Sequence, residues 1–146
     1  MVQGKIENQK SAINNQYNRN LKSLCLNVSL RLKGWGFEGI DVKFDVSVLD
    51  FCFNNERLSI VPKGKKSIYS LAVSLELHQL AKENGLTNLN TIIIDSLWVA
   101  SDIEGIPKEE LAKKIITDIN REQIQVLIFE NEIDLIDQPD LNIIRI

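Results

Sequence analysis

The sequence predicts an α/β protein: an arm-like N-terminal helix, an antiparallel strand pair, then a buried parallel sheet with flanking helices. Three observations predict it. Ile6, Ile13, Tyr17, Leu21, Leu24, Val28 and Leu32 recur at spacings of three, four and seven, which places them on one helical face. Residues 42–48 (Val-Lys-Phe-Asp-Val-Ser-Val) alternate apolar and polar, the period of a strand with one wet face. Two apolar runs, Thr91 to Asp95 and Ile124 to Phe129, flank a helical segment, as parallel strands joined by a crossover do.

The elements follow in order. The helix reads from the N-terminus to Lys33, without glycine or proline between Lys5 and Lys33. Its apolar face is thin at first and dense from Leu21, so the early part projects or pairs and the later part packs. Gly34-Trp35-Gly36 ends it, because paired glycines favour a turn. This divides the chain into an arm, residues 1–33, and an α/β lobe, residues 34–146. The alternating strand is followed by a second apolar run, Leu49 to Phe53. Asn54-Asn55 then turns the chain into a returning strand, Arg57 to Val61. Lys63-Gly64-Lys65-Lys66-Ser67 reads as a basic loop, with Ser67 the expected N-cap of a buried helix that runs to about Asn84 and closes at Gly85. Thr91 to Asp95 is expected to be a central strand covered on both faces. Pro107 starts a helix, with Glu109 and Glu110 at its positive end, running to about Asn120. Ile124 to Phe129 reads as a second buried strand, and Leu141 to Ile146 as a third.

Composition bounds the function. The chain has 146 residues, 44% hydrophobic and 25% charged, enough for one core. With 20 acidic and 17 basic residues the net charge is −3, which excludes nucleic-acid binding by bulk charge but not a local patch such as Arg19, Lys22, Arg31 and Lys33. Two cysteines, Cys25 and Cys52, make no disulfide framework, and no apolar run reaches the roughly 20 residues of a membrane helix. The polar N-terminus is unlike a signal peptide, and a cytoplasmic location is expected.

Two features carry chemistry. Asp95 ends an apolar strand, at the sheet edge where α/β proteins bind ligands. There it either orients Mg²⁺ or merely caps a turn. The Lys63–Ser67 segment offers backbone N–H groups, a helix start and lysines, which suit a phosphate; it is otherwise a solvated turn. No G-x-x-x-x-G-K-[ST] loop occurs anywhere in the chain. His78 has no metal ligand at a useful spacing, Cys25 and Cys52 read as small core residues, and Trp98 reads as either a stacking group or core.

In order and spacing, these pieces resemble the C-terminal half of an ABC-type ATPase head of the SMC kind, over about residues 15 to 135. Leu26 to Asp50 looks like the arm-to-head junction of bacterial SMC-like proteins, through Trp35-Gly36-Phe37 and Val42-Lys43-Phe44-Asp45. The resemblance places Asn54 to Arg57 before the signature motif and Lys63, Gly64, Lys65, Lys66 and Ser67 in the signature position. It makes Ile92 to Asp95 the Walker B strand, with Asp95 toward Mg²⁺. It makes Asp102 the D-loop aspartate and Glu130 or Asn131 the switch residue. The sequence also departs from the family: Ser96 stands where a catalytic Glu is usual, the switch His is missing, only Gly64 of the signature glycines remains, and there is no Walker A lobe. The resemblance therefore implies no catalytic residue in this chain alone. ATP and Mg²⁺ would bind only in a composite site with a Walker A-bearing lobe or in an oligomer, in a role in DNA maintenance or defence, with DNA contact near the arm base. The alternative is an inactive interaction module that pairs through its N-terminal helix.

Overall fold

A computed structural model describes residues 2–86, 90–95, 97, 102–103 and 105–129. The element order is α1 (Val2–Trp35), β1 (Val42–Asp45), β2 (Asp50–Phe53), β3 (Glu56–Arg57), α2 (Lys63–Glu83), β4 (Thr91–Asp95), β5 (Asp102–Ile103), β6 (Ile106–Pro107), α3 (Lys108–Glu122) and β7 (Gln125–Phe129). The chain is thus α/β, as expected. The expected strand at Leu141 to Ile146 lies outside the described residues, as do Ser96, Trp98, Glu130 and Asn131.

The long helix behaves as its spacing predicts. Residues 4–19 are exposed, while Leu24, Val28, Leu32 and Trp35 are buried on one face. The helix runs two residues past Lys33. Trp35 is helical and only 2% exposed, because its ring belongs to the core and burial outweighs the flanking glycines. Gly36 provides the stop at φ 110°, with Gly36 N–H donating to the Lys33 carbonyl and Phe37 N–H to that of Leu32. Phe37 then enters the core beside Tyr69, edge-on at 5.9 Å.

Residues 42–57 form an antiparallel meander, β1-β2-β3. Phe44 pairs with Phe51 across it, ring to ring at 4.9 Å. The first strand is shorter than its alternation suggests. Asp45 accepts hydrogen bonds from Ser47 N–H and Oγ, which folds residues 46–49 into a turn before Val48 can extend the strand. The returning strand stops at Arg57. There Ser59 donates its N–H and hydroxyl to the Asp50 carboxylate, and the ladder ends in a turn over 58–60.

The Lys63–Ser67 segment is helix rather than loop. Pro62 is the N-cap of α2, and its carbonyl accepts from the Lys65 and Lys66 amides. Its fixed φ pre-sets the chain for a helix and starts it ahead of Ser67, which lies inside the helix and caps nothing. The buried face of α2 carries Ile68, Leu71, Ala72 and Leu75, and Tyr69 stacks on Phe53 at 4.4 Å. At the far end Gly85, at φ 66°, closes the helix with the double hydrogen bond of a Schellman turn.

β4 and β7 pair in parallel, from Thr91 with Gln125 to Asp95 with Phe129, and α3 lies between them in sequence. Neither strand is covered on both faces. Ile94 is buried and Ile92, Val126 and Ile128 pack against the core. Ile93 (66% exposed), Leu127 and Phe129 lie on the opposite face and meet solvent. An apolar run with no alternation gives no sign that one side is bare. α3 is capped by Pro107, with Glu109 and Glu110 in its first turn as expected, and ends two residues beyond Asn120.

Two predictions follow from these turns. Gly36→Ala would place a side chain at φ 110° with its Cβ 3.1 Å from Ile106 Cδ1; a loss of at least ~1–2 kcal/mol is expected in urea unfolding. Hydrogen bonds from Ser59 hold the Asp50 carboxyl below its ordinary pKa. A lowered folded-state pKa stabilises above the unfolded value, and that contribution is lost as pH falls through the folded one. In Ser59→Ala, NMR titration should show Asp50 moved back up toward the ordinary carboxylate value.

Candidate functional site

The groove between α2 and β4 joins the two sequence features that carry chemistry. It has a volume of about 580 Å³. One wall is the first half of α2, contributing Lys63, Lys66, Ser67, Ser70 and Ser74; the other is Ile93, Ile94 and Asp95 of β4. The chain direction explains the meeting. A helix that packs on the strand it feeds runs back along that strand, so the start of α2 lies near the end of β4.

Helical spacing builds the polar wall. Ser67, Ser70 and Ser74 fall three and four residues apart, so their hydroxyls form a column along one side of the helix. Lys66 Nζ donates to the Ser59 carbonyl at 3.1 Å, which ties the groove's mouth to the meander. The Lys63 and Gly64 amides precede the helical ladder, and with the lysines they make this end electropositive. Across from them the carboxylate of Asp95 is exposed at the C-terminal end of its strand.

Of the candidate residues, Lys63, Lys66, Ser67 and Asp95 therefore share one groove. Gly64 and Lys65 belong to the same helical turn but do not line it. Asp102 begins the two-residue strand β5, which pairs with β6 rather than with β4. Glu130 and Asn131 lie outside the described residues. Ser70 and Ser74 escaped sequence reasoning; the signal for them was a serine every three or four residues along a buried helix. Among the described residues no group of three or more His, Cys, Asp or Glu side chains is placed to hold a metal ion. A single exposed carboxylate still suits Mg²⁺ that arrives with phosphate, since that ion keeps waters and takes one or two protein carboxylates.

A second cluster has no precursor in the sequence reading. Arg31 of α1 reaches Glu76 of α2 with Nε at 2.6 Å, Asp118 of α3 with Nη1 at 2.6 Å, and Glu122 of α3 with Nη2 at 2.7 Å. Trp35 Nε1 donates to the same Asp118 oxygen at 2.9 Å. The Arg31 side chain is only 8% exposed. Burial alone would lower its pKa, but hydrogen bonds to Glu122 and Glu76 outweigh that and hold it above the ordinary value. Arg31 therefore leaves the proposed DNA-contacting set, because its guanidinium is buried against three carboxylates. The cluster floors an open groove of about 770 Å³ between α1, α2 and α3.

No protein family and none of the curated proteins matches this sequence. Among the described residues no helix is long and apolar enough to cross a membrane.

Removing Arg31 alone should be severe. Arg31→Ala leaves buried Glu76 with half-buried Asp118 and Glu122 uncompensated, and a loss of ~3–5 kcal/mol is expected in chemical denaturation.

Proposed function

We propose that this chain is the C-terminal lobe of an SMC-like, ABC-type ATPase head, which binds Mg-ATP only together with a lobe or partner carrying a Walker A loop. The observation that carries this reading is the groove in which Lys63, Lys66 and Ser67 of α2 face Asp95 of β4. The element order supports it: arm helix, antiparallel meander, helix, strand ending in an acid, helix, parallel strand.

In this reading the start of α2 presents lysine charge and backbone N–H groups to a terminal phosphate held by the partner. The hydroxyls of Ser67, Ser70 and Ser74 line the approach. Asp95 supplies one oxygen toward Mg²⁺, which neutralises charge on the phosphates when bound. The chain contributes no general base at the position after Asp95, where it has Ser96, so any hydrolysis draws on groups of the partner. DNA maintenance or defence is the setting that the resemblance implies, with Arg19, Lys22 and Lys33 as the remaining basic residues at the arm base.

A second reading has its own observation. Ile6, Ile13 and Tyr17 are exposed on α1, in line with the buried Leu24, Val28 and Leu32. That stripe suits an interaction module working through its helix, without nucleotide.

Thermal unfolding with and without Mg-ATP separates the two. A ligand at 100 times its dissociation constant stabilises by about 2.7 kcal/mol. The expected result is a shift only when a Walker A-bearing partner is present, lost in Asp95→Ala and reduced in Lys66→Ala. No shift in any pairing would leave the interaction module as the reading.

A further inference from the structure

We propose that the Arg31 cluster is an angular lock: it fixes the direction of the arm helix against the body, and contributes little to holding the body together. The placement carries the argument. Residues 4–19 of α1 are exposed, so the direction of the arm is set only where α1 meets the body, from about Leu21 to Trp35. Within that stretch the apolar contacts of Leu24, Val28 and Leu32 lack the directionality of a hydrogen bond. Arg31 is different. Its planar guanidinium engages Glu76 on one neighbouring helix and Asp118 and Glu122 on another, through three different nitrogens. A rotation of α1 about its own axis, or a tilt away from either helix, breaks at least one of these short bonds.

The energetics of buried ions point the same way. Bringing charges out of water offsets most of what their pairing gains, so neutral replacements of similar size often retain stability, whereas removing one member does not. A cluster that adds little net stability but has narrow geometric tolerance specifies orientation. Trp35 strengthens that role, because its indole N–H shares the Asp118 oxygen with Arg31 one helical turn further along. The lock belongs to this chain and operates with or without nucleotide.

The test compares the arm's angular spread with stability in the same variants. Spin labels at Asn15→Cys on the arm and Asn120→Cys on α3, in a Cys52→Ser background, report the distance distribution by pulsed dipolar spectroscopy. The neutral variant Arg31→Met, Glu76→Met, Asp118→Asn, Glu122→Gln removes every charge and keeps volume. The expected result is a melting temperature within a few degrees of the parent and a distribution broadened about twofold. The milder Glu122→Met, which removes one acceptor and leaves Arg31 bound to Glu76 and Asp118, should broaden it partly, and it covers the case in which the fourfold variant does not fold. An unchanged width in a folded fourfold variant overturns the proposal. So does a parent distribution already as broad as the variant's, or an unchanged width in Glu122→Met where the fourfold variant is unfolded.

Discussion

The contact on which the rest of the architecture depends is the burial of one face of α1, from Leu24 to Trp35, against both α2 and the strand layer. α2 presents Ile68, Leu71 and Leu75 to the same core, and α3 adds Leu111, Ile115 and Ile119. α1 packs on α2, α3 and β1 alike, so without it these elements lose the apolar partner they share. The meander packs on this core through Phe53 and Val42, and Phe37 and Tyr69 seal the junction. The ion cluster crosses the same junction, so apolar area supplies cohesion there and charge supplies direction.

The groove beside β4 is a product of this packing. Because α2 is held by its apolar face, its serine column has to point away from the core, along the open side of β4. Pro62 fixes where the helix begins and therefore which residues sit at its positive end. A start later in the sequence would leave Lys63 in a loop and remove the helix terminus from the end of β4. The placement of two lysines near one acid thus depends on a proline that touches neither function directly.

The sequence disclosed what local periodicity encodes. The α1 stripe, the Asn54-Asn55 turn, the stop at Gly85 and the acid at the end of β4 were all legible, because each depends on neighbours within a few residues. The Lys63–Ser67 turn misled: glycine and clustered lysines resemble a loop, while the cap that decides the matter lies one residue upstream. The bare face of β4 was hidden because three consecutive isoleucines look the same whichever side is covered. The Arg31 cluster could not be read at all. Its partners lie 45, 87 and 91 residues away, and nothing in a lone arginine on a helix marks it as buried.

Those separations also order the chain in time. The hairpin of β1 and β2 closes across a few residues, whereas the β4–β7 ladder joins Thr91 and Gln125 across 34. Closing long loops is slow because their entropy is lost before any contact rewards it. On a ribosome, α1 and the meander emerge well before α3, and Arg31 has only Glu76 within reach until the segment bearing Asp118 and Glu122 appears. Every residue of the hairpin is therefore synthesised before the arm's last two ionic partners exist. The native direction of the arm is among the last features synthesis can set.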